Sequence, residues 1–208
     1  KKLERLIYFS TDEVFGPAPK NISYEENDRY NSGNPYAASK AGAEEMCVAY
    51  ANTYKLPILI THTMNVIGER QHPEKYLPKI INSLIKKKTL TIHSNKSRTK
   101  AGSRFYIHAQ DVADAINFII KKGKIGEKYN IVGAKEIDNL KLANIVAKHI
   151  QKKLLYKFVD FHSSRPGHDL RYAISGKKLK KMGWQPKKDI ENRIKDTVNW
   201  TLKNKEWF

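Results

Sequence analysis

Two short apolar runs, Leu6-Ile7-Tyr8-Phe9 and Pro57-Ile58-Leu59-Ile60-Thr61, bracket a stretch from Tyr36 to about Tyr54 that contains no proline and one glycine, Gly42. Apolar runs of that length read as buried strands, and the stretch between them reads as a long helix. A strand, a helix and a second strand in that order imply a parallel sheet with crossover connections, since parallel neighbours cannot be joined by a tight turn. The pattern predicts an α/β chain whose first strand ends at Ser10-Thr11 and is followed by a polar loop, Gly16 to Pro35.

Further on, Leu77, Ile80, Ile81, Leu84 and Ile85 recur at helical spacing, ahead of the strand candidate Leu90-Thr91-Ile92. Val112, Ile116, Ile119 and Ile120 line one face of a helix stopped at Gly123. Tyr129-Asn130-Ile131-Val132 reads as a strand closed by Gly133. Leu142, Ile145, Val146 and Ile150 mark one more helix and Ile190, Ile194 and Val198 the last; His149 falls on the former and reads as structural. The elements after about residue 68 are shorter and mixed. Two parts are expected: residues 1–68 with the parallel sheet, and residues 69–208, mainly a smaller α+β lobe with some elements returning to the first part.

Composition removes several classes of function. No apolar run approaches the roughly 18 residues that span a bilayer, and no secretory leader is visible, so no membrane is expected. The single cysteine, Cys47, excludes an internal disulfide and a cysteine-rich metal site; a cytoplasmic protein without a metal is the expectation. The formal net charge is +18, but the lysines are spread over helix faces and loops with no separate basic arm. That reads as a solvated surface rather than a specific nucleic-acid site, and the field it makes favours a diphosphate ligand.

Tyr36 and Lys40 stand four residues apart, on one face of the first helix. An ammonium beside a phenol favours phenolate, a base suited to taking a proton from a sugar hydroxyl. With 11 tyrosines and 31 lysines among 208 residues, chance supplies such pairs, so the spacing alone decides nothing. Its company carries the weight. Ser10-Thr11-Asp12-Glu13 lies at the carboxyl end of a strand, where open α/β sheets place their ligands. Two adjacent carboxylates there can occupy different environments, one kept protonated as an acid and the other ionised as a base.

These blocks, Ser-Thr-Asp-Glu-Val-Phe-Gly at 10–16 and Asn-Pro-Tyr-Ala-Ala-Ser-Lys-Ala-Gly-Ala-Glu at 34–44, resemble the extended short-chain dehydrogenases that act on nucleotide sugars. Within them the Thr-Asp-Glu triplet is similar to that of the dTDP- and UDP-glucose 4,6-dehydratases. Further blocks agree in order: Asn65 to Gly68, Pro73 to Pro78, Arg104 ahead of Ile107-His108, Asp111-Val112-Ala113, Tyr129 to Ile131, Arg165 to Tyr172 and Leu179 to Trp184. The closing Asn204 to Phe208 is similar to the C-terminus of UDP-glucose-type members, so the resemblance spans the whole chain.

The resemblance implies a partial Rossmann-like parallel sheet with a smaller α+β C-terminal lobe that binds the substrate, and NAD as cofactor. It implies Tyr36 as the base on the glucose 4-hydroxyl, Thr11 near the 4-oxygen, Glu13 as the base on C5 and Asp12 as the acid for the 6-hydroxyl. Ser10, Tyr36 and Lys40 would face the cofactor, with Lys40 on the nicotinamide ribose and tuning Tyr36. Asn65, Lys75, Leu77, Pro78, Arg104, Asn130, Arg165 and His168 would hold the nucleotide diphosphate sugar, the arginines by forked hydrogen bonds. A homodimer through the Tyr36 helix is implied, with Ala37, Ala41 and Met46 on its inward or interface faces.

The pattern also departs from the family. The Gly-rich strand–turn–helix that receives a cofactor pyrophosphate is not among these residues, so the chain as given is not expected to hold NAD tightly. His62 stands where an arginine or other polar residue is usual, Ile67 where tyrosine is frequent, Glu69 at a common proline, Val132 at a frequent glycine, and Val66 where bacterial members often carry an asparagine. The Ser94–Ser103 loop is longer than in bacterial members, and basic. Competing readings are a nucleotide-sugar epimerase or decarboxylase, a non-catalytic nucleotide-sugar-binding fragment, and a polyanion binder. The Asp12-Glu13 pair argues against the first, because simple 4-epimerisation needs no acid to expel water.

Overall fold

The computed structural model describes residues 3–164 and 169–207. Strand β1 (Leu6–Thr11) runs into a one-turn 3₁₀ helix (Asp12–Phe15), and helix α1 (Pro35–Tyr54) follows the loop. Then come β2 (Ile58–Thr63), β3 (Val66–Ile67), α2 (Tyr76–Ile85), β4 (Leu90–Ser94), β5 (Ser103–Arg104) and β6 (Ile107–His108). Next are α3 (Ala109–Lys122), β7 (Lys128–Ile131), β8 (Ile137–Asp138), α4 (Asn139–Ile150) and β9 (Tyr156–Asp160). The chain closes with α5 (Phe161–Ser164), α6 (Lys177–Lys181), α7 (Ile190–Lys203) and a last 3₁₀ turn (Lys205–Trp207).

The expected crossover is present. Leu6–Thr11 pairs in parallel with Ile58–Thr63, and β2 pairs in parallel with β7, giving the sheet order β1-β2-β7. Helix α1 crosses between the first two strands. It starts where it does because Asn34 accepts a hydrogen bond from the Ala37 amide (2.9 Å) and Pro35 follows with φ already set for a helix. It stops at Lys55, which takes the left-handed conformation. Two further parallel pairs, β3–β6 and β4–β9, and one antiparallel pair, β5–β8, complete the strands among the described residues.

Three apolar clusters hold these elements. The largest lies between α2, α4 and α7, with Ile80, Ile81, Leu142, Val146, Ile194 and Val198 inaccessible to solvent. Each such side chain contributes about 1.5–3 kcal/mol of burial. A second cluster packs α3 on the sheet through Leu59, Ala115, Ile119, Tyr129 and Ile131, and it also takes in Leu179 and Trp184 from near the C-terminus. The third holds Val14, Phe15, Met64, Tyr172 and Ile174 beneath the 3₁₀ helix. The second and third clusters each combine residues from before and after position 68.

One buried ion pair ties α3 to α7. The Arg193 guanidinium donates to both Asp111 oxygens (2.9 and 2.6 Å) and to the Gln110 side-chain carbonyl (2.7 Å). Among the described residues no helix is long and apolar enough to cross a membrane, and no group of histidine, cysteine and acidic side chains is arranged to hold a metal.

Candidate active site

The tip of β1 is built so that one tetrapeptide faces two ways. Thr11 caps the 3₁₀ helix, its hydroxyl oxygen accepting from the Glu13 amide (3.3 Å) and its hydroxyl donating to Asp12 Oδ1 (3.1 Å). Val14 and Phe15 then sink into the third core cluster, which turns Asp12 and Glu13 toward the cleft. Gly16 ends the turn at φ 74°, with the Asn31 carbonyl oxygen 2.2 Å from where a Cβ would stand, so only glycine fits. The two acids thus occupy an ordered helical turn between the strand and the loop that begins at Gly16.

Asn34 links this turn to α1. Its side-chain oxygen caps the helix while its amide donates to Glu13 Oε2 (3.0 Å). Glu13 is thereby held next to the helix start that carries Tyr36. Thr11, Asp12, Glu13 and Tyr36 all line one cavity of about 460 Å3, together with Ser10, Asn65, Lys75, Leu77 and Tyr106. A second cavity, about 820 Å3, shares Glu13, Asn65, Lys75 and Tyr76 with the first and continues to Thr91, Arg104, Phe161 and Tyr172. The two form one continuous groove of a size suited to an extended ligand. A separate cavity of about 570 Å3 near Ile22, Lys180 and Trp184 carries none of the candidate catalytic, cofactor or substrate residues.

The two acids differ in environment. Asp12 is 5% exposed, and its Oδ2 has no hydrogen-bond partner among the described residues. Burial pushes its carboxyl up to about 6, with Arg104 opposing and Glu13 adding to the rise. Ionisation therefore costs more in the folded chain than in the unfolded one. Below about pH 3.8 the group is neutral in both states and the penalty is absent; it grows as pH rises and is complete above about pH 6, at roughly 3 kcal/mol. Asp12→Asn removes the penalty. In urea melts this variant is expected to exceed the parent by about 2–3 kcal/mol at pH 8, the difference falling below about 1 kcal/mol near pH 4. A constant difference across that range would contradict the account.

Several residues lie elsewhere than the sequence suggested. Lys40 sits one turn from Tyr36, but its ammonium donates to the Phe9 carbonyl (2.5 Å) and lies 4.4 Å above the Tyr8 ring. It is directed at β1 and not at the phenol, because the strand edge offers an acceptor at that height. Asn130 is fully buried and does not line the groove: its carbonyl oxygen faces His62 Nδ1 (2.8 Å) and its amide donates to the Tyr24 carbonyl (3.1 Å). Pro78 is buried in the first turn of α2 and stays behind the wall that Leu77 forms. Arg104 lines the groove, but its guanidinium already donates to the carbonyls of Ser103, Leu170 and Asp169 and stacks on Tyr172 at 4.8 Å. The Ser10 hydroxyl is given to Glu44. Arg165 and His168 lie outside the described residues.

Other groove residues were not singled out from the sequence. The hydroxyls of Tyr76 (2.9 Å) and Tyr106 (2.6 Å) both bond to Asn139, and burial raises both phenols. Burial likewise pushes Tyr172 up to about 12. Tyr76 and Tyr172 fall inside the quoted motif blocks, which was the one available signal. Asn34 could have been found as a helix-capping residue directly before Pro35.

Comparisons with known proteins bear on this geometry. Residues 1–197 match the profile of a family described as GDP-mannose 4,6 dehydratase. The human dTDP-D-glucose 4,6-dehydratase is 36% identical over 207 residues, covering 98% of this chain and 58% of the human protein. A trifunctional Arabidopsis thaliana protein, with UDP-glucose 4,6-dehydratase first among its named activities, is 35% identical over 209 residues, covering 100% of this chain and 31% of that protein. The crystal structure of dTDP-glucose 4,6-dehydratase from Bacillus anthracis in complex with NAD matches with a TM-score of 0.89 at 33% identity, covering 98% of this chain and 63% of that one. The chain thus spans less than two thirds of each of these relatives. Matched along nearly all its length in sequence and in fold, the chain belongs to the GDP-mannose 4,6-dehydratase family of extended short-chain dehydrogenases.

Proposed function

We propose that this chain carries the catalytic residues and the nucleotide-sugar groove of an NDP-glucose 4,6-dehydratase, a lyase that converts UDP- or dTDP-glucose to NDP-4-keto-6-deoxyglucose. The observation that carries the reading is the single cleft on which Asp12, Glu13 and Tyr36 converge, with Asp12 buried and its carboxyl raised to about 6. The β1-β2-β7 sheet is then the later part of a Rossmann-like cofactor domain, and the groove beyond it belongs to the smaller α+β lobe.

NAD is the proposed cofactor. The residues present fit its nicotinamide-ribose end: the Tyr36 phenol is 53% exposed at the cleft, and the Lys40 ammonium lies one turn along beside the half-exposed Phe9. Tyr36 and Lys40 would hold it there. When bound, NAD supplies a temporary hydride acceptor, so the overall reaction is redox-neutral. Tyr36 takes the proton of the 4-hydroxyl, with Thr11 bonded near that oxygen. The resulting 4-ketone acidifies the C5 proton, which Glu13 removes. Asp12 gives its proton to the 6-hydroxyl, which leaves as water. An acid needed at near-neutral pH works best with a pKa close to that pH, which is the direction in which burial moves Asp12.

Lys75, Asn65, Leu77 and Arg104 line the groove where the diphosphate and nucleotide would lie, and the net charge of +18 draws such an anion in. A homodimer through α1 is part of the proposal. Its support is that helix's exposed stripe, with Met46 at 57%, Tyr50 at 46% and Tyr54 at 66% exposure, while Ala37 faces inward.

The test is product mass. With NAD bound, UDP-glucose or dTDP-glucose is expected to yield a product lighter by one water, with no build-up of NADH. A 4-epimer of unchanged mass would favour the epimerase reading. Binding of UDP or dTDP without turnover would favour a non-catalytic binding fragment.

A further inference from the structure

Beneath the floor of the cleft, the sheet carries a row of polar side chains that the proposed chemistry does not use. Ser10 on β1, His62 on β2 and Asn130 on β7 are register partners across the sheet, and all three are buried. Glu44 of α1, entirely inaccessible, closes the row from above. Its Oε1 accepts from the Ser10 hydroxyl, its Oε2 accepts from the Tyr30 hydroxyl, and His62 Nε2 lies 3.1 Å from Oε2. A carboxylate in such a place costs several kcal/mol unless its oxygens are fully met.

The hydrogen-bond inventory assigns the protons. The Asn130 amide nitrogen donates to the Tyr24 carbonyl, which can only accept, so the oxygen of that amide is the atom facing His62 Nδ1. Nδ1 must therefore carry hydrogen. On the other side, the Ser10 and Tyr30 hydroxyls both donate to Glu44, as they would to a carboxylate. Burial alone would raise the Glu44 carboxyl, but the hydrogen bond and charge of His62, with the two hydroxyls, outweigh it and hold the group below its usual range. A hydrogen therefore lies between Nε2 and Glu44 Oε2, and the Glu44 oxygens are met by Ser10, Tyr30 and His62.

Other polar and aromatic groups surround the pair. Lys128 Nζ, on β7, stands 3.5 Å from Glu44 and donates to the Tyr30 oxygen (2.5 Å). Glu26, from the loop, accepts from the Asn130 backbone amide (3.1 Å). Phe15 presents its ring to His62 at 4.9 Å. On α1 itself, Glu45 acts on Tyr30, and the Cys47 thiol is raised by burial and then by Glu44.

We infer that the hydrogen-bonded His62–Glu44 pair is a positioning device for the active site: through Ser10 it locks the tip of β1 to the helix that bears Tyr36. Ser10 directly precedes Thr11-Asp12-Glu13, and Glu44 lies two turns from Tyr36 on the same helix, so the lock sets the distance between the acid pair and the phenol. The inference rests on the dehydratase reading for its catalytic consequence, whereas the proton assignment and the lock are properties of the chain itself.

The test is nuclear magnetic resonance on the 15N-labelled full chain. Ser10→Ala cuts only the link to the tip: the amides of Thr11, Asp12 and Glu13 are expected to move while the His62 ring signals stay. Glu44→Gln is expected to move the same amides and the His62 ring signals, with Leu142 and Ile194 amides in place as proof that the fold persists. Under the dehydratase reading, Ser10→Ala also lowers kcat by about 10- to 100-fold with KM little changed. Tip amides unmoved by Ser10→Ala, or by Glu44→Gln, would overturn the inference. Absence of turnover in the parent would count against the dehydratase reading alone, since the spectra do not depend on it.

Discussion

Asp12→Asn is expected to lower the rate of water loss in the NAD-loaded enzyme by about 10²–10⁴-fold while largely sparing the first oxidation. The argument rests on which proton each residue moves. Oxidation at C4 needs a base on the 4-hydroxyl, the role proposed for Tyr36, and no proton from Asp12. Expulsion of the 6-hydroxyl as hydroxide is prohibitive, and the side chain proposed to supply a proton is the buried Asp12, whose Oδ2 has no hydrogen-bond partner among the described residues. Asparagine matches the carboxyl in shape and cannot act as that acid. The variant should therefore oxidise substrate and then stall, and reduced cofactor should accumulate where the parent shows none. Stopped-flow absorbance of the cofactor, with quenched mass analysis of the sugar, separates the two steps. Glu13→Gln should stall at the same stage, because the C5 proton is then left in place. Should either substitution slow both steps equally, the acid and base roles given to this pair are wrong. The same Asp12→Asn change is the one expected to stabilise the fold at pH 8, so activity and stability should move in opposite directions, as is common where a site carries a desolvated group.

Asp111→Ala is the substitution expected to cost the fold most. It strands the Arg193 guanidinium, whose side chain is 10% exposed, with Gln110 as its remaining side-chain partner. Breaking a buried pair by removing one member costs about 3–5 kcal/mol, chiefly through the charge left behind. For a domain of this size that corresponds to a fall in Tm of roughly 6–20 °C. The double change Asp111→Leu with Arg193→Met removes both charges and should recover most of the loss. Urea and thermal melts of the three proteins test the point. A loss under about 1 kcal/mol in Asp111→Ala would show that water reaches the guanidinium and that the pair behaves as an exposed one.

The long elements were legible because their apolar spacing is dictated by what they pack on. The helix expected from Tyr36 to about Tyr54 runs from Pro35 to Tyr54, and the one expected to stop at Gly123 ends at Lys122. β9 was missed: Tyr156 to Asp160 is exposed to half-buried and sets Lys157 and Asp160 among Tyr156, Phe158 and Val159, so it lacks the apolar run of a buried strand. β3 and β6 are two residues each, too short for any periodicity to register. The acid pair and Tyr36 could be read from their motifs. The direction of Lys40 and the burial of Asn130 could not, because helical spacing says which residues share a face and nothing about which acceptor stands opposite. That depends on strand register: the Asn130 side chain meets His62 because β7 lies beside β2, and the sequence carries no local mark of that adjacency.

Among the described residues, apart from the local antiparallel bridge of Ser94 to Ala101, every strand pairing joins segments far apart along the chain. His62 and Asn130, which face each other across β2 and β7, are separated by 68 positions. At a synthesis rate of about 5–20 residues per second, β2 leaves the ribosome roughly 3–14 s before its partner exists. During that interval the edge of β2 that will meet β7 has no native neighbour for its backbone groups, a state that invites capture by other nascent chains or by chaperones. Helix α1 is already made, α2 and α3 emerge in that window, and all three need only local contacts, so they are the natural first structures, with the sheet closing late and slowly.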